Sequence, residues 1–386
     1  MEKTILAYKR KNGFGIRNYV LVISTVHCAN TVAQQIAIAT DAHVITHDVG
    51  CGEGKTQHPQ TVECLLHAGM APNVFAVLLV GLGCEQIKGQ ELKKRIEADG
   101  KRVEYLGIQE EGGPAQTREK GIAIVKEMMQ QARQQERVPC PMSGLRIGIQ
   151  CGGSDWTTAL TGNVTLGVTV DHLIADGAAV MMSEVGGLPG SEHLLAQQAA
   201  SYEVGLQIID VCDANRARYF AHNGHTIEET NPTPGNKEGG ITTLVEKSTG
   251  NIKKAGHNPL QGVLDLYEQP PHSGLWIIDH KCAGLESVTI NAFALAGAHM
   301  MLFTTGRGTP VGSALLPLLR LTGNPESFRA LPSMLDFNAG VVIEGQPMEQ
   351  AGKDLYDMAL EVIEGKRLTK TEINGNREFF MMHPED

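Results

Sequence analysis

Neither a CxxC pair, a long apolar run nor an excess of basic charge occurs in this chain, and each lack removes a class of protein. Without CxxC spacing, zinc ribbons and thioredoxin-like redox centres are excluded. Eight cysteines in 386 residues, with no apolar export signal in the opening MEKTILAYKRKNG, do not make a disulfide scaffold. The longest uncharged stretches, 64–84 and 287–306, are broken by His67, Gly69 and Pro72 and by Asn291 and His299, so no membrane-spanning segment is expected. A cytoplasmic address is the expectation. Lys+Arg 33 against Asp+Glu 43 leaves a net charge of −10, which offers no electrostatic footprint for nucleic acid. Aromatics at 5% deny a base-stacking platform as well. Neither Gly13-Phe14-Gly15 nor Gly81-Leu82-Gly83 continues into a dinucleotide fingerprint, and no GxSxG elbow or complete Walker loop is present.

Glycine, at 44 residues, is plentiful, which suits many tight turns between strands and helices. Short apolar runs at 19–26, 43–47, 75–83 and 103–108 alternate with helix-period stretches at 30–40, 61–69, 89–98 and 115–135. That alternation predicts a parallel sheet covered by helices. The proline-containing segment 134–144 reads as a domain boundary, giving units 1–138 and 145–386. Strands at 145–150, 178–183, 274–279 and 299–305, with helices near 165–176, 191–217, 287–296 and 350–365, repeat the style. The fold class expected is therefore α/β, two Rossmann-like domains with mainly parallel sheets. The Gly-, Asn- and Pro-rich stretch 221–262 reads as a long functional loop.

Reactive side chains gather at one kind of position. His27-Cys28, His47 with Cys51, and Cys84-Glu85 follow strands of the first half. Cys151-Gly152-Gly153-Ser154-Asp155, Glu184, Asp279-His280-Lys281-Cys282 and Thr304-Thr305-Gly306-Arg307 follow strands of the second. In open α/β sheets ligands sit outside the carboxyl ends of the strands. Cys64, Cys140 and Cys212, by contrast, read as small buried hydrophobes, and His222-x-x-His225 as exposed. The Phe303–Gly312 and 231–250 segments combine glycines with Arg307, Lys237, Glu238, Glu246 and Lys247, a composition suited to an anion. Arg307 is the candidate fork for a carboxylate, with a structural pairing to Asp336 as the alternative.

Taken in order, GFGIRN, ISTVHCAN, HDVGCG, PNVFAVLLVGLGCE, QCGGSD, NPTPGNKEGGITTLVEKS and FTTGRGTPVG resemble the altronate dehydratase/galactarate dehydratase family over residues 13–380. In that family an acidic ETPE-like segment stands where this chain has Ser183-Glu184-Val185-Gly186-Gly187, so one of two acids is kept. The resemblance implies a lyase removing water from a sugar acid, or sulfite from a sulfonated hydroxy acid such as sulfolactate, in a crevice between the two domains. A non-catalytic sugar-acid-binding protein is the reading from another class. It implies Fe2+, with Mn2+ or an iron–sulfur cluster as alternatives, and a small SAF-type partner subunit alongside a homo-oligomer. Combined with the strand-end pattern, it assigns His47, Glu85 and Glu184 as acid–base groups and Cys51, Cys84 and Cys151 as metal ligands. Arg307, Thr305, Gly306, Lys237, Asn236, Ser154 and Asp155 are the expected substrate contacts.

Overall fold

Two parallel sheets carry the chain, and a core that belongs to both runs between them. A computed structural model describes residues 2–183, 185–282 and 286–384. The chain begins in β1 (Thr4–Lys9) and β2 (Phe14–Gly15), then builds the first parallel sheet from β3 (Tyr19–Ser24), β4 (His43–Ile45), β5 (Val74–Gly81) and β6 (Arg102–Gly107). After β7 (Val138–Pro141) come β8 (Arg146–Cys151), β9 (Ala179–Met182), β10 (Leu260–Asp265), β11 (Gly274–Asp279), β12 (Met300–Thr304), β13 (Leu318–Thr322) and β14 (Phe337–Asn338). The spatial orders are β4-β3-β5-β6 and β10-β11-β9-β8-β12-β13-β14, parallel throughout. The expected α/β class with parallel sheets is what the structure has.

Three local expectations change. Segment 134–144 is not only a linker, because β7 pairs antiparallel with β1, which also pairs with β2. Two prolines hide this edge strand from pattern reading, since proline is tolerated at an edge and lacks the usual strand signature. Residues 221–262 are not an open loop but a string of capped helices leading into β10. Ile227–Thr230 and Pro234–Glu238 each start with a capping box, and Thr243 accepts from Glu246 N at the start of Leu244–Ile252. The single helix expected at 191–217 is two, Glu192–Gln197 and Tyr202–Asn223, with Ser201 capping the second.

Side-chain alternation along the strands splits the interior into layers. Ile147, Ile149, Val180 and Met182 face helices Asn163–Ala175 and Met348–Ile363. Met181, Met301 and Phe303 face the other way, joining Leu21, Ile23, Val77 and Leu79 of the first sheet in one shared core with helices Gln57–Met70 and Glu286–Leu295. Val20, Val22, Leu78 and Val80 close the outer face of the first sheet. Among the described residues no helix is long and apolar enough to cross a membrane.

A buried amide clamps the two halves together. Asn73 Oδ1 accepts from Ile16 N (3.0 Å) and Arg17 N (3.2 Å), while Nδ2 donates to His299 O (2.8 Å) and Leu315 O (3.2 Å). Arg17 continues the seam with a two-pronged bond to Glu372, 2.6 and 3.0 Å. His299 Nε2 donates to Phe14 O (3.0 Å) and Nδ1 accepts from Arg146 N (3.1 Å), so its ring is held neutral. Asn73→Ala strands four buried backbone groups and should cost about 4 kcal/mol, read as a lowered urea midpoint.

Acid should act on the same seam. Burial pushes His299 well below its ordinary value and lowers His43 and His280 to about 4. Below about pH 6.5 the unfolded chain takes up protons that the folded chain refuses. Stability is therefore expected to fall from pH 6.5 toward pH 4, by roughly 1.4 kcal/mol per pH unit for each histidine. A pH series of unfolding midpoints checks the sign, and His43→Gln should reduce the slope.

Candidate active site

The second sheet reverses its winding between β8 and β12, since β9 lies on one side of β8 and β12 on the other. At such a reversal neighbouring loops diverge and leave a crevice at the strand ends. Here that crevice is a cavity of about 780 Å³. Its wall includes Gln150 to Gly153 at the end of β8, Asp279 and His280 at the end of β11, and Asn236, Lys247 and Asn251 from the capped helices. Every lining residue lies in the second half of the chain, so this cavity is not lined from both domains as the crevice expected from the sequence would be.

Two glycines bring an acid to the reversal. A Cβ at Gly148 would meet Phe293, and one at Gly152 would overlap the Glu286 carboxylate, so helix Glu286–Leu295 lies directly against β8. Glu286 thereby faces the cavity beside the Gly152–Gly153 turn, where Gly153 adopts φ +58°. The cation is Lys247. Its Nζ donates to Asn231 Oδ1 (2.9 Å) and Asn236 Oδ1 (3.0 Å), and among the described residues no carboxylate pairs with it. Asn236 in turn donates through Nδ2 to Ser154 O (2.9 Å), tying the lysine to the β8 turn.

Other groups on the wall are already engaged. Asp279 receives Arg218 on both oxygens at 3.0 Å. His280 Nδ1 accepts from Cys282 N (3.2 Å) and Nε2 meets Thr289 Oγ1 (3.3 Å). Burial holds the His280 imidazole neutral, lowered to about 4. The Cys151 thiol donates to Asn251 Oδ1 (2.9 Å) and receives the fully buried Lys254 ammonium at 3.3 Å. Gln150 Oε1, Ser154 Oγ and Thr304 Oγ1, all buried near these strand ends, have no hydrogen-bond partner among the described residues. Unmatched buried polar atoms at a strand-end crevice are what a polar ligand completes.

Several expected site residues fall elsewhere. His47 is buried in the first domain, with Nε2 donating to Ser24 O (2.8 Å) and Nδ1 accepting from Val49 N (3.3 Å), so both nitrogens hold loops. Glu85 accepts from Thr25 Oγ1 (3.0 Å) and Gly83 N (2.6 Å), again as loop anchorage. Glu184 lies outside the described residues. Asp155 is consumed by Thr157, Thr158 and Asn324, and a Cβ at Gly306 would run into it, so this pair fastens the β8 and β12 ends together. Thr305 Oγ1 accepts from Gly308 N (2.9 Å). Arg307 donates to Gly235 O (2.9 Å) and Glu238 Oε2 (2.8 Å), half-exposed and off the cavity wall. Asp336 instead accepts from the backbone of Arg320 and Lys370, so it is not the partner of Arg307. Lys237 is exposed, while Asn236 and Ser154 are buried, and of these three only Asn236 lines the large cavity.

The expected metal set is not assembled. Cys51 and Cys84 are exposed on the first domain, whereas Cys151 is buried in the second and hydrogen-bonded. Among the described residues no group of three or more His, Cys, Asp or Glu side chains is placed to hold a metal ion. The described donors therefore do not fit the expected iron. Cys64, Cys140 and Cys212 are buried hydrophobes as expected. Sequence reading passed over Glu286 and Asn251, and named Lys247 only as one charge of the anion-suited 231–250 segment. Lys247 and Asn251 stand four apart on one helix face, a spacing that only becomes informative once 244–252 is known to be helical.

Two family profiles match in series. That described as D-galactarate dehydratase/Altronate hydrolase, second domain, covers residues 7–133, and that described as D-galactarate/Altronate dehydratase, C-terminal, covers 142–385. Altronate dehydratase of Bacillus subtilis (strain 168) is 35% identical over 97% of this chain and 77% of its own length. Altronate dehydratase of Escherichia coli (strain K12) is 33% identical over 98% of this chain and 77% of its own. The (2R)-sulfolactate sulfo-lyase subunit beta of Chromohalobacter salexigens is 33% identical over 98% of this chain and 97% of its own.

Lys247→Met should weaken binding of a carboxylate ligand by roughly 10- to 100-fold, the loss of one charge-assisted hydrogen bond, with little change in melting temperature. Calorimetric titration with a small hydroxy acid measures it. Unchanged affinity would reduce the lysine to a prop for the Asn231–Asn236 segment.

Proposed function

The chain belongs to the D-galactarate/altronate dehydratase family, and on that premise we propose that it is a carbon–oxygen lyase removing water from a sugar acid to give a 2-keto-3-deoxy acid. The observation that carries the reading is the presence on one cavity wall, at the β8–β12 reversal, of a cation, Lys247, with no paired carboxylate among the described residues, and of a carboxylate, Glu286, laid over Gly152. The two halves of a β-elimination need those two charges. The proton next to a carboxylate is weakly acidic, so negative charge building on that carboxylate must be met by a fixed cation. Lys247 is the group for that, and the amide oxygens of half-buried Asn231 and buried Asn236 hold it in place. Glu286 is the base that takes the proton from C2. The C2–H electron pair becomes the C2–C3 double bond, the C3 hydroxyl leaves as water with a proton, and the enol formed at C2 tautomerises to the 2-oxo acid. His280, kept neutral by burial, contributes hydrogen bonding rather than charge on this reading.

A second subunit is part of the proposal, supported by the sulfo-lyase relative, whose name makes it one subunit of its enzyme and whose length this chain matches at 97%. The same relative favours one competing reading, in which sulfite rather than water leaves a sulfonated hydroxy acid. The elimination is the same and only the leaving group differs.

The deciding experiment is turnover on a panel of altronate, galactarate and sulfolactate, followed as 2-oxo acid or sulfite release. It is run anaerobically with and without Fe2+ or Mn2+, and with and without a small SAF-type subunit. Release of 2-oxo acid without sulfite, increased by the subunit and reduced at least 100-fold by Glu286→Gln in a folded protein, is the expected result. Full turnover by Glu286→Gln would remove that residue from the chemistry, and sulfite as product would select the competing reading.

A further inference from the structure

A second cavity, of about 230 Å³, adjoins the large one, and among the described residues only Lys247 and Asn251 line both. Its wall runs from Ser154 after β8 through one π-helical turn, Thr158–Gly162, to Asn163 at the start of the next helix, and helix Leu244–Ile252 closes it. Such single π-turns are rare and frequent at functional sites. Two apolar side chains on the wall open to solvent, Trp156 at 51% exposure and Leu160 at 62%. The charged groups are held by other partners. Lys247 bonds through its ammonium to Asn231 and Asn236, which line the large cavity and not this one. Asp155 accepts from Thr157, Thr158 and Asn324, and Glu246 Oε2 accepts from Thr242 N and Oγ1, both at 2.9 Å. Asn251 accepts from Cys151 and donates to Gly187 O (3.2 Å). Two buried polar atoms on this wall, Ser154 Oγ and Asn163 Oδ1, have no hydrogen-bond partner among the described residues, although their residues are only 2% and 1% exposed. Asn163 Nδ2 donates to Gly250 O (2.9 Å), which fixes the amide with its oxygen as the open acceptor.

We infer that this smaller cavity is a second ligand site, separate from the candidate active site, for a small uncharged molecule that carries a carboxamide on a flat apolar body. The inference does not depend on the lyase reading. An amide N–H of such a molecule donates to Asn163 Oδ1 and its carbonyl accepts from the Ser154 hydroxyl, so both buried atoms gain partners at once. The apolar body lies against Trp156, Ala159 and Leu160. A few fixed polar groups in a mostly apolar wall are the ordinary make-up of a small-molecule pocket. A cavity of about 150 Å³ holds benzene, so about 230 Å³ has room for one ring and one amide. A carboxylate of the same shape has no hydrogen to give Asn163 Oδ1, and an ammonium has no lone pair to accept from Ser154 Oγ.

The two tryptophans of the chain make the test local, because Trp156 lines the cavity and Trp276 is buried elsewhere. The full chain is labelled with 5-fluorotryptophan, and Trp156→Phe assigns the two fluorine resonances. The probes are benzamide, benzoate and benzylammonium. Benzamide is expected to shift the Trp156 resonance and not that of Trp276, with a dissociation constant of about 1 mM or tighter for so small a ligand. Benzoate and benzylammonium should act on the Trp156 resonance at least about ten-fold more weakly, the loss of one hydrogen bond to a buried group. Ser154→Ala removes a hydroxyl without a partner among the described residues, so it should keep the melting temperature and weaken benzamide at least about five-fold. Should that variant not fold, Trp156→Ala, read by calorimetry, should weaken benzamide by a similar factor. No Trp156 shift at the solubility limit of benzamide would overturn the inference. So would benzoate or benzylammonium matching benzamide, or benzamide affinity unchanged in the folded variant. Exclusion of benzamide when a second subunit is bound would overturn it too, since Trp156 and Leu160 would then belong to a subunit interface.

Discussion

A parallel sheet buried on both faces leaves its strand ends as the backbone that can turn toward a ligand, and the rest of this architecture follows from that constraint. β8, β9, β11, β12 and β13 are buried almost throughout, so their side chains are spent on the two cores flanking the sheet. Polar chemistry is displaced to the carboxyl edge. The winding reversal between β8 and β12 opens that edge, and the cavity occupies it.

The same device appears in both domains with different outcomes. At Gly81 a Cβ would overlap the Glu85 carboxylate, just as one at Gly152 would overlap Glu286. Each sheet thus has a glycine at or just after the end of a central strand that admits an acid. In the first domain the acid is satisfied by Thr25 and the Gly83 amide and serves to fasten loops. In the second it lines the cavity wall. Placement relative to a cavity, and not residue type, separates the structural carboxylate from the candidate base.

Domain packing supports the site from below. Helix Glu286–Leu295 contributes to the core shared by the two sheets, so the residue at its start is positioned by burial of the first domain against the second. The Asn73 clamp and the neutral His299 lock that packing through hydrogen bonds that engage both polar atoms of the amide and both ring nitrogens. The first domain therefore contributes rigidity to the cavity without lining it.

Much of this was legible in the chain alone. Alternating apolar runs and helix-period stretches announced parallel α/β domains, and reactive residues after strands pointed to the carboxyl edges, because periodicity and turn chemistry are local properties. The motifs QCGGSD and NPTPGNKEGGITTLVEKS contain the cavity residues Cys151, Gly152, Gly153, Asn236 and Lys247. What the chain alone did not rank was which of several equivalent residues would meet. His47, Glu85, Cys51 and Cys84 share the strand-end signature with Cys151 and Asp279, yet lie on the other sheet. Arg307 has the fork suited to a carboxylate but spends it on Glu238, while Lys247, on a helix hidden inside an apparent loop, meets no carboxylate among the described residues. Strand ends are determined by sequence-local hydrophobic pattern. Which ends face one cavity, and which charges remain unpaired there, depends on contacts between residues a hundred positions apart, and only the tertiary structure decides those.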